Sequence, residues 1–390
     1  MSLTAFQGLT VLDLGQYISA PMAGQNLADL GARVIKIEAP TGEQARTIGV
    51  FGEAIVEACN RGKDSIALDL TLEDDRAQLQ TLIASADVLI HNFLPRTARK
   101  LGVDWDSVSE LNPRLICGVA SGFGRRGPNR ETPGLDIMAQ AEFGIMGVTG
   151  EAEGQPQRAG FAVSDVLASH SLTTGILAAI LERNTTGRGI LVETSLMEAT
   201  VHAQAVQWAE YAMTGNSPRR KGNGQPTAAP AADVITVSDG EIVVSAYTRS
   251  KWEALCNVLE RPELAVDPRF ISNPQRVANR ESMLDILHAA FGHLTTAQAI
   301  DLLRSAGIVC GRIRTLDEII GDPDLIASNL LTNIDLRGEQ GAQAAGLPSL
   351  PVVFDGKRSV AHGRAPAVGS APTTNASTHS VPASAPSPVQ

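Results

Sequence analysis

The run Arg158-Ala-Gly-Phe-Ala-Val-Ser-Asp165 ends in a carboxylate and opens directly onto an apolar stretch with helical spacing. Two readings of that carboxylate stand side by side. Ser164 or Asp165 can be the N-cap of the helix, accepting hydrogen bonds from free backbone N–H groups. Alternatively, Asp165 beside glycine-rich chain can be a nucleophile, with the helix N-terminus favouring its ionised form. Asn60-Arg61-Gly62-Lys63 gathers two cations and an amide in one turn ahead of a strand, which suits a phosphate but reads more readily as an ordinary solvated turn. Asn92-Phe93-Leu94-Pro95 reads as a helix-entry turn, with Arg96, Arg99 and Lys100 on the helix that follows. Phe93 there offers a flat apolar face to a base or to the core. Residues 122–128, GFGRRGP, form a flexible basic loop.

The elements that must position these residues alternate in type. Residues 9–14 (LTVLDL), 33–37 (RVIKI), 65–70, 88–90 and 115–119 read as short buried strands. Between them, 21–30, 73–85 and 107–111 read as helices, the first with Pro in its first turn and Gly31 at its end. This alternation predicts an α/β fold with a parallel sheet carrying helices on both faces. Ligands of such sheets bind outside the carboxyl ends of the strands, at the turns 15–21, 38–42, 91–96 and 121–127. A glycine-rich stretch, 122–160, leads to a helix over 165–181, a strand at 190–194 and one long helix at 196–213. Residues 217–232 read as a Pro/Gly/Ala linker. Beyond it come a hairpin at 234–246 with a DG turn, helices near 251–259, 280–291 and 296–305, and a strand at 308–314 that returns to the first domain.

The expected domains are therefore 1–216 for the first part of a large domain, 217–232 for the linker and 233–325 for a small domain. Residues 326–364 return to the large domain, and 365–390, rich in Ala, Pro, Ser and Thr, form a disordered tail. A formal net charge of −10 speaks against a nucleic-acid partner, whose phosphates demand a basic face. Cys59, Cys117, Cys256 and Cys310 are scattered without a CxxC pair, so neither a metal nor a disulfide framework is expected. The start lacks the pattern of a signal peptide, and no apolar run approaches the ~20 residues of a membrane span. A reduced, cytoplasmic chain with no membrane partner is the expectation.

Taken in order, LTVLDLGQYISAPMAGQNLADLGARVIKIE, NRGKDSIALDL, ADVLIHNFLPRTARKLGVDW, LNPRLICGVASGFGRRGP, PGLDIMAQAEFGIMGVTG, the run to Asp165 with GILAAILERNTTGRG, and DPRF at 267–270 resemble the class III CoA-transferases. This is the family of formyl-CoA transferase, carnitine CoA-transferase and the related alpha-methylacyl-CoA racemases, and the resemblance covers about residues 3–330. It implies a Rossmann-like large domain, a smaller α/β domain, and two ring-like subunits interlocked as a homodimer. It places the nucleophile on Asp165 and contacts to coenzyme A on Asn60, Arg61, Lys63, Asn92, Phe93, Lys100 and Leu101, with no metal. The implied reaction moves CoA from an acyl-CoA donor to a carboxylic acid acceptor through aspartyl–acyl anhydride and aspartyl–CoA thioester intermediates.

Three departures narrow the reading. The racemases carry a His where this chain has Leu135, and Leu135 cannot move a proton, which disfavours two-base epimerisation. Formyl-CoA transferase has a glutamine where Ile18 stands here, with Gln16 two positions earlier. Its tetraglycine loop is replaced by the shorter Lys221-Gly222-Asn223-Gly224-Gln225. The alternatives to transfer are an acyl-CoA racemase or isomerase, and an acyl-CoA-binding paralogue without catalysis.

Overall fold

The computed structural model describes residues 6–225, 230–332, 334, 336 and 346–371. The expected linker thus falls outside the described residues at 226–229, and the expected tail does so beyond 371. In chain order the first elements are β1 (Thr10–Asp13), α1 (Ser19–Asp29), β2 (Arg33–Glu38), α2 (Gly49–Asn60), β3 (Asp64–Ala67), α3 (Glu73–Ser85), β4 (Val88–His91), α4 (Pro95–Leu101), α5 (Trp105–Leu111) and β5 (Ile116–Ser121). Then follow α6 (Asp136–Glu142), α7 (Ile145–Val148), α8 (Val163–Thr186), β6 (Leu191–Ser195), α9 (Leu196–Ala203), α10 (Ala205–Thr214), β7 (Ala232–Val237) and β8 (Gly240–Ser245). The remainder are α11 (Arg249–Val258), α12 (Asn273–Ala278), α13 (Arg280–Phe291), α14 (Thr296–Ser305), β9 (Val309–Arg312), α15 (Leu316–Ile319) and α16 (Pro323–Ser328).

Two compact units divide the chain. The first comprises the described residues within Met1–Phe143, Gly160–Ala205 and Pro323–Gln390. Its sheet runs β3-β2-β1-β4-β5-β6 with every neighbouring pair parallel. Side chains alternate across that sheet with the period of two that strands impose. Val11, Val34, Val88, Ile90 and Ile116 pack with Leu27 of α1 and Leu172 and Ile176 of α8. Leu12, Ile35, Leu89 and Cys117 point the other way, into Leu79 and Ile83 of α3 and Val108 of α5. Both faces are covered, which is why the strands read as nearly continuous apolar runs.

Local signals account for several boundaries. Pro95 opens α4 and Gly102, with φ 67°, closes it, the usual order of these two residues along a helix. Helix α8 ends at Gly187, again left-handed at φ 72°. The expected long helix over 196–213 is two helices, because the chain departs from helical geometry at Gln204, whose amide donates to Phe143 O and Thr200 O. Helix α8 spans 24 residues and is long and apolar enough to cross a membrane by length and composition, contrary to expectation. Here it packs on β5, β6 and α1, and Gly175 lets it approach β6: a Cβ there would lie 2.5 Å from Val192 Cγ1.

The second unit comprises Gly144–Ala159 and Val206–Asp322. Its three-stranded antiparallel sheet, β7-β8-β9, encloses a core with Trp252 and Leu255 of α11, Leu287 and Phe291 of α13, Leu303 of α14, and Phe270 from the loop before α12. The strand expected to return to the first domain at 308–314 is instead β9, pairing Ile242 with Arg312 and Ser245 with Val309 within this sheet. Short apolar strands look alike in sequence, and only the register reveals the partner.

Candidate active site

In the first unit the strand order reverses between β1 and β4, whose carboxyl ends lie side by side at Asp13 and Ile90. This is the switch point at which doubly wound sheets bind ligands. The turns leaving the two strands are tied together there. Gln16 N–H donates to Asn92 Oδ1 at 2.9 Å, and Asn92 Nδ2 donates back to Gln16 O at 2.8 Å.

Two cavities flank this tie. The smaller, about 180 Å³, is walled by Gln16, Tyr17, Ser19, Asn92, Phe93, Gly122, Leu135 and Asp165. The larger cleft, about 580 Å³, runs past the ends of β1, β2 and β3 to α4, with Glu38, Leu68, Arg76, Phe93, Lys100 and Leu101 among its walls. Gln16 and Phe93 line both. The ring of Phe93 stacks on His91 at 5.5 Å, and Phe93 N–H donates to His91 Nδ1 at 3.2 Å. Burial, reinforced by the Arg125 charge, lowers His91 to a pKa of about 4, so the imidazole is neutral and can accept that bond.

Asp165 sits in the first turn of α8, half-buried. The N-cap expectation for Ser164 or Asp165 is corrected: the cap residue is Ala162, which contributes no side-chain bond, and the free N–H of Ser164 is taken by Asp136 Oδ1 at 2.8 Å. Asp136 is steadied in turn by Gln140 Nε2 at 2.6 Å, and the Ser164 hydroxyl accepts from Thr200 Oγ1 at 2.8 Å. A second carboxylate therefore performs the capping, which leaves Asp165 to face the cavity. Burial raises the Asp165 carboxyl from 3.8 to about 7, the Asp136 charge adds to the rise, and a hydrogen bond from the Ser19 side chain opposes it. A poorly solvated carboxylate held near neutrality in a pocket has the makings of a nucleophile.

The other expected site residues divide into two groups. Asn92 lines the smaller cavity, Phe93 lines both, and Lys100 and Leu101 lie on the far wall of the larger cleft. Asn60, Arg61 and Lys63 line neither; they are buried, at 0%, 1% and 5% exposure. Lys63 Nζ donates to Asp13 Oδ2 at 2.7 Å, Pro21 O at 2.8 Å and Asn60 Oδ1 at 2.9 Å, which uses all three of its N–H groups. Arg61 pairs with Asp29 at 2.5 Å and donates to Ala361 O at 2.8 Å. Asp29 also receives Leu350 N–H and Ala361 N–H, so this pair anchors the C-terminal chain across α1. Both cations are held by buried carboxylates of β1 and α1, and the structure does not bring them to the cavity surface.

Ser19, Asp136, Glu43 and Arg76 have places at or beneath the site that the residue types alone did not give. Glu43 Oε2 accepts Tyr17 N–H at 2.8 Å, and Tyr17 has a positive φ of 62°. Asp136 carried a signal in its position just before an apolar run, as capping residues often do, but its helix partner is 28 residues away. Among the described residues no group of three or more His, Cys, Asp or Glu could hold a metal ion.

The family model for CoA-transferase family III matches residues 6–371. Acetyl-CoA:oxalate CoA-transferase of Acetobacter aceti is 36% identical over 331 residues, 84% of this chain and 85% of that protein. Succinyl-CoA:mesaconate CoA-transferase of Haloarcula hispanica is 33% identical over 357 residues, covering 88% and 89%. A crystal structure of a CAIB/BAIF family protein from Brucella suis superposes with a TM-score of 0.83 at 33% identity, covering 95% of this chain and 97% of its own.

Proposed function

The chain belongs to CoA-transferase family III, and from that premise we propose that it transfers CoA between two carboxylic acids by covalent catalysis on Asp165. The observation that carries this reading is the Asp165 carboxyl itself: relieved of capping by Asp136, oriented by Ser19 and raised to about 7 in a pocket at the sheet's switch point.

In the proposed sequence the Asp165 carboxylate attacks the donor thioester carbonyl. The C–S bond breaks, giving an aspartyl–acyl anhydride and CoA thiolate. The thiolate attacks the aspartyl carbonyl and expels the donor acid as its carboxylate, leaving an aspartyl–CoA thioester. The acceptor carboxylate attacks that thioester, expels CoA thiolate and forms a new anhydride. Thiolate attack on the new acyl carbonyl releases the product thioester and restores Asp165. No net proton is consumed, so the site's tasks are to hold the thiolate in reach and to stabilise tetrahedral oxyanions.

The larger cleft receives the nucleotide of CoA in this reading, with Lys100 and Arg76 serving phosphates and Phe93 and Leu101 the apolar parts. Asn60, Arg61 and Lys63 act from beneath, by fixing α1, α2 and the C-terminal chain on which the cleft rests. The pocket holds Leu135 where a racemase would need a proton carrier, so epimerisation has no observation in its favour. A homodimer belongs to the same proposal, and light scattering reads it directly. The relatives named for oxalate and mesaconate make dicarboxylic acids the first acceptors to try.

The test is intact-protein mass spectrometry after incubation with acetyl-CoA and with succinyl-CoA, followed by peptide mapping. An acyl or CoA adduct on Asp165, absent from Asp165→Ala, is the expected result. Turnover with oxalate, mesaconate or glutarate as acceptor but retained in Asp165→Ala would refute the covalent assignment.

A further inference from the structure

The turn Gly15–Tyr17 is held by side chains rather than by secondary structure. Gly15 N–H donates to Asp13 Oδ1 at 2.8 Å, and Gly15 O accepts from Lys36 Nζ. Gln16 exchanges both of its backbone groups with the carboxamide of Asn92. Tyr17 N–H goes to Glu43 Oε2. Five consecutive backbone polar groups are thus captured by four side chains, from β1, β2, the turn after β4 and the turn ahead of α2. Three of the four, Asp13, Lys36 and Glu43, are buried at 0%, 0% and 4% exposure. The clamp also keeps Tyr17 in the left-handed region, which a residue with a Cβ adopts at a cost of about 1 kcal/mol or more. The turn has no spare room: a Cβ on Gly15 would lie 2.7 Å from Ala20 Cβ and 2.7 Å from Pro21 Cδ.

So heavy an investment in one turn calls for a reason, and its place supplies one. Gln16 is the clamped residue that walls both the larger cleft and the Asp165 pocket. Its backbone is fully engaged, while its own carboxamide makes no hydrogen bond among the described residues. Asn92 has the opposite character. Its carboxamide is spent on Gln16 in both directions.

We propose that Asn92 is a positioning residue rather than a nucleotide ligand, and that it holds the Gln16 carboxamide at the junction of the two cavities as a hydrogen-bond donor to the acyl oxygen. This rests on the reading of Asp165 as the nucleophile. In the attack of Asp165 on the thioester, charge develops on that oxygen, and a pre-set N–H donor strengthens exactly there without reorganisation. The clamp supplies part of the pre-setting: the backbone that carries Gln16 is fixed before substrate arrives, so only its side chain remains to be ordered at the transition state.

Two kinds of measurement test the clamp and the donor separately. The first is hydrogen–deuterium exchange of the segment 14–24 in Asn92→Ala. The amides of Gln16 and Tyr17 are expected to exchange at least about tenfold faster than in the wild type. Unchanged exchange overturns the clamp whether or not any acyl-CoA reacts. Should Asn92→Ala not fold, Asn92→Leu, of similar size and without the carboxamide that accepts from Gln16 N–H, is read in the same way.

The second measurement is a double-mutant cycle on turnover, using the donor and acceptor found active in the adduct screen, with CoA itself for dissociation constants. Gln16→Met and Asn92→Ala are each expected to lower kcat by about tenfold to a hundredfold, with the dissociation constant for CoA within about threefold of wild type. Because Asn92 acts through Gln16, the double variant should be no slower than the slower single variant. Multiplicative losses overturn the proposal. So does a raised dissociation constant with kcat retained, which would make Asn92 a CoA ligand. A wild-type chain that transfers CoA to none of the acids and forms no adduct would sink the functional reading instead, with the exchange measurement still deciding the clamp.

Discussion

Replacing Asp165 by Asn should make the protein more stable, and more so as the pH rises. The substitution keeps shape and the oxygen that accepts from Ser19, and removes only the capacity to ionise. In the folded chain the Asp165 carboxyl is raised from 3.8 to about 7, first by burial and then by the Asp136 charge. The folded state therefore binds more protons than the unfolded state between those two values, and wild-type stability falls as pH rises across that interval. Below about pH 4 the group is protonated in both states and costs nothing. Above about pH 8 it is ionised in both, and the full penalty is present. At about 1.36 kcal/mol per pH unit the interval corresponds to about 4 kcal/mol. The half-buried side chain retains some contact with water, and screening reduces this to about 2 kcal/mol. For a folding unit of this size that is a rise in Tm of about 4–8 °C. Calorimetry of wild type and Asp165→Asn at pH 4.5, 6, 7 and 8 reads the difference directly. The expected gap is small at the lowest pH and grows to a plateau. A gap independent of pH, or a wild type that gains stability relative to the variant with rising pH, would refute the burial of this carboxyl.

Neighbours of Asp165 should move its titration in opposite directions. Ser19→Ala removes the hydrogen bond that opposes the rise, so the acidic limb of the kcat profile should shift to higher pH, whereas Asp136→Asn keeps the cap on Ser164 and should shift it lower. Pre-steady-state acylation rates between pH 5 and 9 distinguish the two. Lys63→Met should cost about 3–5 kcal/mol of stability by stranding Asp13 in the core, read by urea unfolding. A weakened affinity for CoA without that loss would place Lys63 in the binding surface after all. Lys100→Ala, on an exposed wall of the cleft, should raise the dissociation constant for CoA about fivefold to tenfold at low salt, with the effect shrinking as salt is added. Isothermal titration at two ionic strengths is the check, and equal affinities for variant and wild type would remove Lys100 from the phosphate site.

How far the sequence carried depends on whether a property is local. The alternation of strands and helices follows from side-chain period and from Pro and Gly at helix ends, so the parallel sheet and its helices were legible, as were the hairpin at Asp239-Gly240 and the helices around Trp252 and Phe291. The partner of a strand is not local. Residues 308–314 carry no mark that distinguishes β9 of the second unit from a strand of the first. Capping is likewise ambiguous when the acceptor comes from elsewhere in the chain: Ser164 and Asp165 have the residue types of a cap, yet Asp136 reaches across from α6 to do it.

The same distinction explains the cations. Asn60-Arg61-Gly62-Lys63 has the composition of a phosphate-binding turn, and nothing within it says that Asp13 and Asp29 lie beneath. Those aspartates come from β1 and α1, 50 and 32 residues away, and they become neighbours only when the parallel sheet forms in the order β3-β2-β1. The outcome has a physical logic. Asp13 would be raised by its burial, and Lys36 and Lys63 outweigh that and hold its carboxyl low, so this set keeps a carboxylate ionised in the core. One member, Lys36, reaches Gly15 O, and through Glu43 the set reaches Tyr17 N–H. A charge cluster that looks from sequence like a ligand site is thus the foundation of the turn at the switch point. The turn in turn walls the pocket that holds the Asp165 carboxyl, so the shape of that pocket rests on electrostatics arranged one layer below it.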